Sequence, residues 1–303
     1  MIKKYTAIIL MIMIFIIPFI TACGNEGGEK SLFQDENKIS IVTTIYPVYD
    51  FTCNIAGDHA EVINLVPAGT EPHDFELSTG DMKLLEQADM FIYNGAGMEN
   101  FVDKTLAGLS NKELVSVEAA TNVKLLENDH ITDPHTWLSI ENAKKECEAI
   151  KDSLVTIDPD NAKDYEDNFK EYCNELDELI TEYEDGLKDR KKDLIVVAHE
   201  AFGYMCDEFN LTQQGIEGIT ADAEPDSSRM KELIDICRDN EVKIVFFEEL
   251  VSPKVAETIA SEAGAETMVL NPIEGLTAEQ EQQGLDYIGI MRSNLEALKK
   301  ALD

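Results

Sequence analysis

Two series of short β-branched runs, each alternating with amphipathic stretches, flank one long helical stripe, and that arrangement leaves few folds open. The first series covers residues 39–45, 61–66, 90–94 and 114–117, with helical patterns over 49–56, 78–88 and 100–106. The second covers 194–198, 211–216, 243–247 and 267–270, with helical patterns over 204–208, 229–240 and 255–263. Strand–helix–strand repeats of this kind predict an α/β chain of two (βα)-type lobes, each a small parallel sheet covered by helices. Between the series, Asp158-Pro159 offers an N-cap with proline at the first helical position. Ala162, Tyr165, Phe169, Tyr172, Leu176, Leu179, Ile180, Tyr183 and Leu187 then recur at spacings of three and four. Basic residues from Lys188 to Lys192 follow, where the helix dipole favours them. A helix of about 30 residues is roughly 45 Å long, enough to span both lobes and join them once and stiffly. A last amphipathic stretch, 285–302, predicts a closing helix packed back across the body.

The amino-terminal residues say where such a chain works. Lys3 and Lys4 precede an apolar run over residues 7–20, the charge-then-apolar order of a signal peptide, and the run is short for a membrane span. It ends Ile20-Thr21-Ala22-Cys23-Gly24, a lipobox-like signal that predicts lipid attachment at Cys23. The chain therefore divides into a signal peptide (1–22), a lipidated flexible tether (23–38), an N-terminal lobe (39–157), a linker helix (158–192), and a C-terminal lobe with its closing helix (193–303). With 60 acidic against 25 basic residues, the net charge of −35 argues against nucleic-acid partners and against anionic lipid. The lipid anchor is then the one expected membrane attachment, on a protein expected to be a monomer. Beyond Cys23 five of the six cysteines remain, scattered and odd in number, so at least one thiol is expected to be free.

Three of the five histidines stand in rigid polar settings after the strand-like runs. They are His73 in Glu71-Pro72-His73-Asp74, His135 in Asp133-Pro134-His135, and His199, which directly follows the run 194–198. Proline stiffens the first two loops. In parallel sheets ligands bind beyond the carboxyl ends of the strands, where these histidines fall. Three imidazoles from distant segments make a zinc-type site one ligand short; a water there would suggest hydrolysis, a carboxylate would close it. Glu200, Glu248, Glu249, Asn271 and Glu274 are the candidates. Glu200 adjoins His199 and is expected to point elsewhere. Glu248 and Glu249 end a strand and suit a supporting or salt-bridged role. Glu274, on a loop with Gly275 behind it, is favoured. Glu71, Asp74 and Asp133 could accept the second ring N–H of the neighbouring histidines. His59 reads as solvated in a turn, and His130 lies in an acidic loop that could help capture metal. His199-Glu200 lacks a second histidine four residues on, so the metalloprotease pattern fails.

Several longer motifs then align with one family: Asn64-Leu-Val-Pro-Ala-Gly-Thr-Glu-Pro-His-Asp74, Asp133-Pro-His-Thr-Trp-Leu138, Val197-Ala-His-Glu-Ala-Phe-Gly-Tyr204, Ile219-Thr-Ala-Asp-Ala-Glu-Pro225 and Leu270-Asn-Pro-Ile-Glu-Gly-Leu-Thr277. Over residues 39–302 the chain resembles the ZnuA/AdcA-like zinc-binding lipoproteins, the solute-binding subunits of ABC importers. The resemblance implies two lobes joined by a rigid helix, with Zn2+ held in the interlobe cleft as transported cargo by His73, His135, His199 and Glu274. It also implies an extracytoplasmic location and a permease with its ATPase as partners, and no catalysis. Manganese-binding relatives carry Glu and Asp as the third and fourth ligands; His199, and Asn271 where many relatives show Asp, favour zinc. A manganese- or iron-binding protein of the same class is the alternative, with a zinc hydrolase or an adhesin further off. The long His-rich loop of many zinc members is absent here, leaving only His130. If Cys23 carries the anchor, Cys23→Ala is expected to release the protein into the medium or block its processing; fully processed protein retained at the membrane would refute that.

Overall fold

The computed structural model describes residues 31–128, 131–219 and 225–303. The leader, Cys23, His130 and residues 220–224 of the motif beginning at Ile219 lie outside that description. The N-terminal lobe runs β1 (Ile39–Thr43), α1 (Tyr46–Ala56), β2 (Ala60–Asn64), α2 (Thr79–Gln87), β3 (Met90–Tyr93), α3 (Val102–Gly108) and β4 (Val115–Glu118). A two-residue antiparallel ribbon, β5 (Glu127–Asn128) with β6 (Ile131–Thr132), leads to α4 (Ile140–Ile157) and then α5 (Ala162–Leu187). The C-terminal lobe runs β7 (Leu194–Val197), α6 (Gly203–Phe209), β8 (Thr212–Gly215), α7 (Ser227–Asp239), β9 (Ile244–Phe247), α8 (Lys254–Ala263), β10 (Glu266–Val269), α9 (Ala278–Gln283) and α10 (Tyr287–Leu302).

Both four-stranded sheets are parallel throughout, with orders β2-β1-β3-β4 and, from the matching edge, β8-β7-β9-β10. The two lobes thus repeat one topology. In each, the order reverses between the first and third strands, where a crevice opens at the carboxyl ends.

Elements form where the local chemistry favours them. Ser78 and Asp81 close a capping box on α2, and Ser139 accepts the Asn142 N–H to cap α4. α1 starts at Tyr46, with Pro47 preset for its first turn and Ile45 extended as its N-cap, so the helix begins earlier and β1 ends sooner than the pattern predicts.

The linker helix departs from expectation at its start. Pro159 opens a short 3-10 turn, Pro159–Asn161, and α5 begins only at Ala162. The Asp158 carboxylate takes its bonds from Tyr165 Oη and Asn161 Nδ2, both 2.7 Å away, instead of capping the backbone. At 26 residues, α5 is about 39 Å long. It is not the sole link between the lobes. α10 packs along it, the Tyr287 ring meets Phe51 edge-on at 4.9 Å, and Tyr287 Oη donates to Trp137 O at 2.7 Å. One continuous apolar core joins Ile41 and Phe51 of the first lobe, Leu176 and Tyr183 of α5, and Ile195 and Phe246 of the second. The compact body also begins earlier than Ile39, because Phe33 is buried against Val42, Leu65 and Leu85.

α4 carries a cost. Glu146 is fully buried and neither of its carboxyl oxygens finds a hydrogen-bond donor. Burial pushes its pKa from 4.5 up to about 8; the Thr136 hydroxyl, near but too poorly aligned for a full hydrogen bond, opposes the shift, and the Glu99 charge adds to it. A carboxyl whose pKa rises on folding binds more protons in the native state, so its contribution to stability declines as pH climbs from the unfolded to the folded value. Glu146→Gln, which mimics the protonated form, is expected to stabilise the protein by roughly 2–4 kcal/mol at pH 8 and to match it near pH 5. Denaturant unfolding across that range checks this; parallel pH profiles for the two proteins would contradict it.

Candidate metal centre

The crevices of the two lobes face one another, and loops from both bring His73, His135, His199 and Glu274 together, with one ligand atom of each within 4.8 Å of the others. His73 stands in a short 3-10 turn, Pro72–Asp74, on the loop after β2. His135 precedes another, Thr136–Leu138, after the β5–β6 ribbon. His199 lies two residues past β7, and Glu274 on the loop after β10. Three of the four side chains are buried, while His73 is partly open, its side chain 12 % exposed.

The spacing of the ligand atoms is specific. His135 Nε2 lies 3.2 Å from both His73 Nε2 and His199 Nε2. Glu274 Oε1 is 2.9 Å from His135 Nε2 and 3.4 Å from His73 Nε2 and His199 Nε2. A tetrahedron with ligands about 2.0–2.1 Å from its centre has edges of about 3.3–3.4 Å. These distances are therefore close to the edges of a tetrahedral site for a zinc-sized cation.

A second set of residues aims the imidazoles. His135 Nδ1–H donates to Asp133 Oδ1 at 2.8 Å, and His199 Nδ1–H donates to Glu248 Oε1 at 2.7 Å. Carboxylates only accept, so each bond places a proton on Nδ1 and turns Nε2 to the centre, where it can ligate once it has lost its own proton. Glu248 thus has the supporting role suggested for it, placed by β9 across the switch point from His199. Asp133 needs room: a Cβ on Gly203 would stand 2.6 Å from its Oδ2. Glu71 bonds the His73 backbone N–H at 3.3 Å rather than its ring.

The Glu274 loop is shaped by a residue that spacing alone did not explain. Asn271 Oδ1 accepts the Ile273 N–H at 2.7 Å and Nδ2 donates to Glu249 Oε2 at 2.7 Å, while its backbone N–H and carbonyl are bonded by Asn294. Asn271 is thereby occupied as a brace. Ile273 sits at φ 60°, a left-handed conformation costly for a β-branched residue. It is fully buried, and Trp137 Nε1 of the other lobe donates to the neighbouring Pro272 O at 2.8 Å. Asn94 Nδ2, just past β3, holds the Pro134 carbonyl at 2.9 Å and so secures the His135 loop. Glu200 lies elsewhere, its side-chain stem over Gly215. His59, expected to be solvated, instead pairs with Asp164 at 2.9 Å and meets the Tyr165 ring, because α5 passes beside its turn.

The electrostatics follow from the carboxylates. Burial opposes charge on His135, but Asp133 and Glu274 outweigh it and raise its pKa. Burial likewise opposes charge on His199, and Glu248 and Glu274 carry its pKa well above 6.5. Burial would raise the pKa of Glu274, yet the His135 bond and the His199 charge hold it well below 4.5. Both shifts favour a second proton on each of these imidazoles, and that contribution to stability fades as pH rises through their raised values. A metal must displace those protons. Cation binding at pH 7 is therefore expected to release protons, and affinity to keep rising with pH above the ordinary imidazole value. Calorimetry in two buffers of different ionisation enthalpy measures the release; an identical heat in both would contradict it.

Comparisons with known proteins agree with this geometry. Residues 41–301 match the family model for the periplasmic zinc-uptake complex component A. The high-affinity zinc uptake system protein ZnuA of Bacillus subtilis (strain 168) is 37% identical over 317 residues, covering 100% of this chain and 99% of that protein. The zinc-binding lipoprotein AdcA of Streptococcus pneumoniae (strain ATCC BAA-255 / R6) is 39% identical over 300 residues; the alignment covers 94% of this chain and 59% of that longer protein. The crystal structure of the Zn(II)-bound ZnuA-like domain of S. pneumoniae AdcA superposes with a TM-score of 0.80 at 41% identity, over 88% of this chain and 99% of that one.

Proposed function

This chain belongs to the family of zinc-uptake complex component A proteins, and on that premise we propose that it captures extracytoplasmic Zn2+ with His73, His135, His199 and Glu274 and passes it to an ABC permease. The observation that carries this reading is the set of ligand atoms from both lobes at tetrahedral spacing. Four protein donors close the site and leave no position for the water that a hydrolytic zinc needs. Binding and release, rather than turnover, is the chemistry such a centre supports.

Zinc over manganese rests on the donors. Three imidazoles suit a borderline-soft cation, whereas manganese favours oxygen. Outer carboxylates strengthen the histidines as ligands, and their loss costs about 10–100-fold in affinity at comparable sites. The lipid anchor at Cys23, supported by the lipobox-like Ile20–Gly24 segment and by the lipoprotein description of AdcA, would keep the receptor beside its permease. Among the described residues no helix is long and apolar enough to cross a membrane.

Elemental analysis of protein purified without added metal is expected to find about one zinc per chain. Glu274→Ala is expected to lower zinc affinity sharply; unchanged affinity would remove Glu274 from the ligand set. His199→Glu is expected to narrow the zinc-to-manganese preference by roughly tenfold or more, because it replaces an imidazole with a hard oxygen donor. Competition titrations on wild type and variant decide the point, and an unaltered preference would show that His199 does not set selectivity.

A further inference from the structure

Away from the metal centre, two of the free thiols share one level of the seam between α4 and α5. The described free cysteines are Cys53, Cys147, Cys173, Cys206 and Cys237. The register of the seam is set by two contacts: Lys144 Nζ lies 2.5 Å from Asp177 Oδ1, and Lys151 Nζ lies 5.3 Å from the Phe169 ring centroid. The helices therefore run antiparallel. Cys147 falls three residues after Lys144 and four before Lys151, and Cys173 falls four after Phe169 and four before Asp177. Residues three and four apart share a helix face, so both cysteines lie in the interval between the two contacts, each on the face turned to the other helix. Fully buried Ala143, one turn before Cys147 on the same stripe, is small enough to let the helices approach. Burial pushes the Cys147 thiol well above its usual range, and Cys173 is the next contributor to that shift, as expected of close neighbours.

We infer that Cys147 and Cys173 form a disulfide-competent pair, closed by exchange with a small-molecule disulfide. The extracytoplasmic setting suits such chemistry. Cys173 is half-buried and Cys147 wholly buried, so Cys173 reacts first. Its thiolate attacks the small disulfide, breaking that S–S bond and releasing one small thiolate. The Cys147 thiolate then attacks the Cys173 sulfur and displaces the second. Two protein thiols are oxidised, the small disulfide is reduced by two electrons, and the two protons end on the released thiols. Burial raises the Cys173 thiol to about 11, so the first step accelerates with alkalinity, by about tenfold per pH unit below that value. The closed pair ties the helix that follows the His135 loop to the helix that joins the lobes.

The test uses the full chain, folded, incubated with oxidised glutathione at pH 8 and then alkylated and mapped by peptide mass spectrometry. The expected product is a Cys147–Cys173 linked peptide that has lost two hydrogens, forming about tenfold faster at pH 8 than at pH 7. Cys147→Ser is expected to stop at a glutathione adduct on Cys173. Glutathione persisting on Cys173 in the wild type, a link to a different cysteine, or a link that appears only after denaturant is added would each overturn the inference.

Discussion

Everything at the metal centre depends on the two lobes being held at one fixed separation. Ligand atoms about 3 Å apart come from opposite sides of the cleft, and a shift of an ångström between the lobes would open the tetrahedron. The continuous apolar core prevents that shift. It runs from β1 through α5 into β7 and β9, and α10 closes over it with Tyr287 reaching Phe51 and Trp137. Opening the cleft by a wide hinge would expose that core, with each large side chain costing roughly 1.5–3 kcal/mol. The more economical movement is local, within the loops that carry the ligands. Of the four proposed ligands, His73 is the one left partly open.

Charge balance couples occupancy of the centre to its protonation. Glu274, Asp133 and Glu248 place three buried carboxylates around three imidazoles. Isolated, such charges could not remain in a low-dielectric interior. The carboxylates favour protons on His135 and His199, and a divalent cation at the same atoms would take the place of such protons. Cation and proton thus compete for the same ring nitrogens.

Much of this was legible in the residues. His73, His135 and His199 stood out because proline-stiffened loops and strand ends are where parallel sheets place ligands, and Glu274 because it follows the last strand of the second lobe. The strand series foretold two parallel sheets, though not that both would share one order. α4 escaped notice because its charged surface residues, Lys144, Lys145, Glu148 and Lys151, mask the stripe of Ile140, Ala143, Cys147, Ile150 and Leu154. The closing helix was expected over 285–302 and forms as α10, but its partners Phe51 and Trp137 are far away in the chain and no pattern could name them. Asp158 had the composition of a helix cap but found Tyr165 and Asn161 as nearer partners. For Asn271, identity suggested a ligand position, and only three-dimensional contacts reveal a brace that holds Ile273 in a conformation its side chain resists.

Phe33 fixes where the described chain enters the first lobe. It is buried in the first lobe, while the Leu32 N–H bonds Gln87 Oε1 at 2.8 Å and the Gln34 and Asp35 N–H groups bond Glu61 Oε2 at 2.7 and 3.0 Å. Gln87 ends the helix before β3 and Glu61 is the second residue of β2, so these bonds pin the incoming chain to the amino ends of the strands. The cleft lies at the carboxyl ends. Phe33 and its neighbours therefore bring the chain into the first sheet at the end opposite the candidate ligands, so the contacts that seat the entering chain and those that shape the cleft are separated by the length of the strands.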